Sequence, residues 1–294
     1  MGISFFGGFF ILFFCSFLII DLNIAYICYN TTLIKVVVLL YGRMKNHFIL
    51  PYAGNKRQEV ERIEEYLHDK LDDIDTIIEP FCGSSAMSCY LSMKYPKRFK
   101  YILNDNNPML IELYHLMKNE DLFNDFIILL NETVKLIIDK KSYLEVINQP
   151  TVLAWFISHR IYTLRAGLYE IGYKPKTYNF KDFPILKFLR EEDVSIRLGN
   201  GEDLFIEYEN NPNVLCFLDP PYMFSCNTFY AKKITGIYEY CTLKKLNNFK
   251  CKVVFVIEDM WIVRALYPDN IKLSYGKHYE TKHKNANHII ISNI

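Results

Sequence analysis

The sequence predicts a doubly wound α/β sheet. From Met44 onward, short apolar runs alternate with longer helical ones, the spacing produced when each strand is followed by a crossover helix. Val214–Leu218 and Lys252–Ile257 are near-continuous apolar runs rather than alternating ones, which is what parallel strands covered on both faces require. Polar turns containing Pro follow two of the strands directly, at the carboxyl ends where such sheets bind their ligands.

The elements follow in chain order. A helix over Glu59–His68 precedes the first strand, Thr76–Glu79, and the turn Pro80–Ser85 leads into a helix over Ala86–Lys94. Tyr101–Asn104 is a second strand, followed by a helix over Pro108–Lys118. Residues 121–192 then interrupt the sheet pattern, helical at first and afterwards irregular and rich in Tyr, Phe and Lys. They are expected to form an inserted subdomain. From Tyr162 to Arg190 the basic residues Arg165, Lys174, Lys176, Lys181, Lys187 and Arg190 outnumber Glu170 and Asp182, and they interleave with Tyr162, Tyr169, Tyr173, Tyr178 and Phe180. Such interleaving suits phosphate contact with base stacking; a solvated face with part-buried aromatics has the same composition.

Composition bounds the rest. The 294 residues are 51% apolar, enough for a large core, and the net charge is only +1, so contact with nucleic acid has to come from local patches. The eight cysteines are scattered, with no C-x-x-C pair and no His/Cys cluster at zinc spacing. They read as reduced intracellular thiols used in packing, and no metal is expected.

The first twenty residues carry no charge, and Ile3–Ile20 approaches the length of a bilayer span. A basic leader and a small-residue cleavage pattern are both missing, which excludes an ordinary signal peptide. Three readings stand: residues upstream of a start at Met44, a membrane anchor, or a soluble extension. Residues 1–43 are therefore set apart as a hydrophobic extension from a domain at 44–294.

Three motifs carry chemistry. Asp219-Pro220-Pro221-Tyr222 stands directly after the apolar run Val214–Leu218. Two successive prolines fix their own φ angles and remove two N–H donors, leaving a stiff turn with carbonyls ready to accept hydrogen bonds. An exocyclic amino nitrogen of adenine is a poor nucleophile because its lone pair is delocalised into the ring. Acceptance of its hydrogens by Asp219 and a proline carbonyl localises that pair, and Tyr222 is suited to stack on the flipped base. The second motif, Glu79-Pro-Phe-Cys-Gly-Ser-Ser85, places Gly83 where backbone can approach a cofactor, and Asp105 at the end of the next strand suits two ribose hydroxyls. No G-x-G-x-x-G is present, which argues against a dinucleotide. The third is the loop Pro51-Tyr-Ala-Gly-Asn-Lys56.

In this order the pieces resemble the Dam-type, class alpha, adenine-specific DNA methyltransferases, over essentially all of Met44–Ile294. The resemblance implies a Rossmann-like S-adenosylmethionine-dependent methyltransferase sheet with an inserted DNA-recognition subdomain, methylating adenine N6 in double-stranded DNA. It further implies that Tyr52 and Lys56 line the methionine end of S-adenosyl-L-methionine, that Phe81 and Gly83 shape its pocket, and that Asp105 holds the ribose. Asp203, in a Gly201–Asp203 turn, is implied beside the cofactor adenine. Arg165, Lys174 and Lys176 are expected on DNA, Phe156–Arg160 resembles the helix before the recognition hairpin, and Tyr279–Asn293 resembles the closing hairpin. A monomer inside the cell is expected, with membrane contact only through residues 3–20.

The sequence also departs from the family. Ser85 stands where a second glycine is usual, the helix after the tetrad has Tyr238 and Tyr240 but no histidine, and the recognition region is short. Two alternatives therefore remain: a catalytically silent DNA-binding relic, and a methyltransferase of another exocyclic amine. Cytosine C5 chemistry lacks its Pro-Cys nucleophile.

Overall fold

A computed structural model describes residues 47–50, 56–160, 177–221, 236–279 and 284–294. Asn46–Ile294 forms a compact unit of its own. The apolar run on which the membrane-anchor expectation rests lies outside the described residues; among those described, no helix is long and apolar enough to cross a membrane.

The centre is a seven-stranded sheet in the order β3-β2-β1-β4-β5-β7-β6. Its parallel part comprises β1 (Thr76–Glu79), β2 (Lys100–Asp105), β3 (Asp193–Leu198), β4 (Val214–Leu218) and β5 (Lys252–Glu258). β6 (Ile271–Tyr279) and β7 (Lys284–Ser292) pair as an antiparallel hairpin, and β7 runs antiparallel to β5. The chain winds outward from β1 on one side through β2 and β3, and on the other through β4 and β5. The crevice at the carboxyl ends of β1 and β4 is thus the topological switch point, the ligand site of open α/β sheets.

Burial follows the sequence pattern. Every residue of β4 is buried, and so are the five apolar residues Val253–Ile257 of β5, as expected for strands covered on both faces. Ile78, Phe205, Cys216, Leu218, Phe255 and Ile289 belong to one core cluster. β3, by contrast, buries only Val194 fully. At the sheet edge its alternating polar residues gave no continuous apolar run, so it is an element the sequence reading did not place.

The helices are α1 (Val60–Leu67), α2 (Ala86–Lys94), α3 (Pro108–Lys118), α4 (Glu120–Leu136), α5 (Lys140–Ile147), α6 (Val152–Arg160), α7 (Pro184–Glu191), α8 (Gly201–Tyr208), α9 (Ile237–Lys244) and α10 (Trp261–Leu266). Local chemistry sets their starts. Asn107 caps α3 by accepting from the Met109 and Leu110 amides with Pro108 at the first helical position, and Asp139 and Ser142 form a reciprocal box at α5. α4 buries Phe123, Phe126, Leu130 and Val134, a single helical stripe. α7 packs on the sheet, with Phe188 edge-on to Tyr101 at 5.0 Å.

Candidate functional site at the carboxyl ends of β1 and β4

The turn after β1 is braced from three sides. Gly83 has φ of 48°, the left-handed region that favours glycine. Its amide donates to Asp105 Oδ2 at 3.1 Å, and its carbonyl accepts from the Tyr114 hydroxyl at 2.8 Å. Ser85 is also left-handed, at φ 47° and ψ 40°, and Tyr114 lies 2.9 Å from its hydroxyl. The departure at Ser85 therefore falls on a position whose backbone asks for glycine. From the neighbouring strand, Asn104 Nδ2 donates to the carbonyls of Pro80 at 2.9 Å and Gly199 at 3.1 Å. That amide ties the β1 and β3 turns together.

Asp105 stands partly exposed at the end of β2, with one oxygen held by Gly83 and the other by the Asn107 amide at 3.0 Å. Burial raises its pKa, while these backbone donors oppose the rise. Phe81 packs against Gly201: a Cβ there would come within 2.5 Å of the ring and 2.7 Å of the Pro80 carbonyl. Gly201–Asp203 is not a free turn, since Asn200 precedes it in extended conformation and it forms the first turn of α8. Asp203 is exposed there.

On the other side of the switch point, Asp219, Pro220 and Pro221 follow β4. The Lys56 ammonium donates to Asp219 Oδ1, so the structure sets Lys56 on the acceptor of the tetrad. Lys56 is 3% exposed and Asp219 20%. Burial raises the Asp219 pKa, and the Lys56 charge and hydrogen bond counter it. Glu79 is fully enclosed, its carboxylate accepting from the Ser88 amide at 2.8 Å and from the Ser88 hydroxyl. Burial pushes its pKa up to about 7 against those donors, and the nearby Asp219 adds to the push.

A buried polar cluster adjoins this pair. Glu59 accepts from the Tyr275 hydroxyl at 2.8 Å and from the Lys277 ammonium, and lies 2.6 Å from His288 Nδ1. Burial alone would raise its pKa. The His288 hydrogen bond and the charges of Lys56 and Lys277 outweigh burial and bring it down to about 2. Sequence reasoning gave none of the four a role: Glu59, Tyr275 and Lys277 lie outside every motif, and His288 lies in the Tyr279–Asn293 segment without being singled out. The available signal was Tyr275 and Lys277 two apart on one face of a strand. A cavity of about 290 Å³ opens beside Glu59 between α1 and β6, lined by neither Asp219 nor Asp105. On the last member of the tetrad described, the Pro221 carbonyl accepts from the Tyr238 hydroxyl at 3.1 Å.

The expected DNA-facing aromatics divide. Phe180 is buried, edge-on to Phe156, and Tyr178 stacks on Phe180 while its backbone exchanges hydrogen bonds with the Asn131 side chain. Phe180 is a packing residue, while Tyr178 is part-buried against it. Arg190 donates to the Met117 carbonyl and faces Glu120, joining α7 to α3 and α4. Tyr52, Arg165, Lys174, Lys176 and Tyr222 lie outside the described residues.

Residues 52–161 match the family of D12 class N6 adenine-specific DNA methyltransferases. The Type II methyltransferase M.MjaIII of Methanocaldococcus jannaschii is 40% identical over 73 residues, which is 24% of this chain and 25% of that protein. The chain thus matches about a quarter of the length of this relative. Among solved structures, the rRNA methyltransferase aviRa from Streptomyces viridochromogenes aligns over 81% of this chain and 85% of its own at 11% identity, with a TM-score of 0.33. The N-terminal domain of human METTL16 in complex with SAH aligns over 80% and 68% at 8% identity, with a TM-score of 0.34. The stretch similar to the D12 class N6 adenine-specific DNA methyltransferases, residues 52–161, is the one that supplies the β1 turn and Asp105.

Proposed function

We propose that this protein transfers a methyl group from S-adenosylmethionine to the N6 amino group of adenine in DNA. One observation carries the proposal: a part-buried, ion-paired carboxylate, Asp219, stands on a two-proline turn at the switch point, across from the Gly83–Asp105 turn. The first supplies what an adenine amino group needs, and the second supplies what a nucleoside cofactor needs.

The donor set fits the cofactor. Backbone amides already orient the part-buried Asp105 carboxylate, and each oxygen retains acceptor capacity for a ribose hydroxyl. Phe81 offers an apolar wall against α8, and Asp203 an exposed acceptor on its first turn. When bound, S-adenosylmethionine supplies an electrophilic methyl on a sulfonium. The chain does the rest. Asp219 and the Pro220 carbonyl accept the two amino hydrogens, drawing the nitrogen lone pair out of the ring. The Lys56 charge and hydrogen bond favour the ionised form of Asp219 against the burial that raises its pKa. Tyr222 stacks on the flipped base, Tyr52 borders the methionine end, and Arg165, Lys174 and Lys176 hold phosphates. The segment within 121–192 acts as the DNA-recognition subdomain, and residues 44–294 suffice for the chemistry as a monomer wherever the cell keeps its DNA.

The test is to express the chain in cells lacking adenine methylation and to sequence the modified bases. N6-methyladenine at a defined site is expected. Cofactor binding without any modified adenine would instead make the protein a silent DNA-binding relic.

A further inference from the structure

We infer that Tyr238 is a positioning residue for methyl transfer, fixing the last soft torsion of the catalytic turn; the inference rests on the reading of Asp219 as the acceptor of the base. In Asp219-Pro220-Pro221 the proline rings fix φ at both prolines, and a following proline restricts ψ of Pro220 to the extended region. That leaves ψ of Pro221 as the one unconstrained backbone rotation between Asp219 and the residue that follows the turn. Rotation about ψ swings the Pro221 carbonyl, and the Tyr238 hydroxyl holds that carbonyl at 3.1 Å.

Tyr238 is itself immobilised. It is 3% exposed, and its ring stacks on Phe255 with centroids 5.3 Å apart and planes 29° apart. Phe255 pairs with Leu218 across β4 and β5, directly before Asp219. The Tyr238 carbonyl accepts from the Thr242 hydroxyl at 2.8 Å and the Tyr267 hydroxyl at 3.0 Å. A donor fixed by core packing and two hydrogen bonds is thus aimed at the single loose joint of the turn. It also occupies the Pro221 carbonyl, so the acceptor beside Asp219 is the Pro220 carbonyl, to which no described residue donates. Preorganised acceptors need no rearrangement as charge develops, which is where such sites gain their rate.

The experiment compares wild type with Tyr238→Phe, which keeps the stacked ring and removes only the hydroxyl. Methyl incorporation into unmethylated bacterial genomic DNA gives kcat, calorimetry gives the S-adenosylmethionine dissociation constant, and thermal melting reports the fold. The expected result is a kcat about tenfold lower, consistent with one lost hydrogen bond, with cofactor affinity within about twofold and an almost unchanged melting temperature. An unchanged kcat overturns the positioning role alone. So does a parallel fall in kcat, affinity and melting temperature, which marks a structural residue. A wild-type protein that transfers no methyl overturns the underlying reading together with this one.

Discussion

The ammonium of Lys56 is bonded to the carboxylate of Asp219, a residue 163 positions later in the chain. This contact joins the loop before α1 to the turn after β4. Both groups are largely withdrawn from water, so removing one leaves the other uncompensated, at a cost that for buried pairs reaches about 3–5 kcal/mol. Lys56→Gln should therefore lower the melting temperature. It should also move the acid limb of the pH–kcat profile upward, because the Lys56 charge is what restrains the raised pKa of Asp219. An acid limb that stays in place in the variant would show that Asp219 is not the titrating acceptor.

Asp105 carries the complementary prediction. Asp105→Ala removes the acceptor of the Gly83 amide and the carboxylate proposed for the ribose. The S-adenosylmethionine dissociation constant should rise by at least tenfold, with a smaller effect on kcat at saturating cofactor. A cofactor titration that matches wild type would remove Asp105 from the ribose role.

Ser85 tests the departure from glycine. A left-handed non-glycine residue costs about 1–2 kcal/mol, and Tyr114 keeps its bond to the Gly83 carbonyl when the serine hydroxyl is lost. Ser85→Gly should stabilise the protein by about 1 kcal/mol, after allowance for the greater freedom of the unfolded glycine. Chemical denaturation measures it, and a destabilised variant would mean that the serine hydroxyl outweighs the backbone strain.

Two buried glutamates give opposite pH dependences. Glu79 has a folded pKa of about 7 against an ordinary 4.5. Between those values the folded state holds a proton that the unfolded chain has released, so stability falls as pH rises from 4.5 toward 7. Glu59 is lowered to about 2, so its contribution is complete above 4.5 and is lost as pH falls from there toward 2. Glu79→Gln should flatten the upper slope of a denaturation series and leave the lower one intact. An unchanged upper slope would mean that Glu79 is ionised in the fold.

These predictions draw unequally on sequence and structure, for a physical reason. The tetrad at Asp219, the glycine turn at Gly83 and the carboxylate at Asp105 were legible because strand, turn and chemical group are contiguous in the chain. The sheet was legible where both faces are covered, as at β4, and not at β3, where an edge strand alternates without a strong apolar run. Glu59 meets Tyr275 and His288 across 216 and 229 positions. No local pattern announces a partnership formed only when the β6–β7 hairpin closes against α1. Phe180 shows the converse: an aromatic counted toward stacking on bases is buried against Phe156, Tyr178 and Phe183.

The most direct test of the central claim is quantitative mass spectrometry of N6-methyladenine in unmethylated DNA incubated with S-adenosylmethionine and either wild type or Asp219→Ala, with cofactor affinity measured on both proteins. The account predicts N6-methyladenine from wild type, a loss of at least about 10²-fold in the variant as for other preorganised acceptors, and cofactor affinity within a few-fold. A variant that retains more than about a tenth of the wild-type rate would contradict Asp219 as the group that prepares the adenine nitrogen.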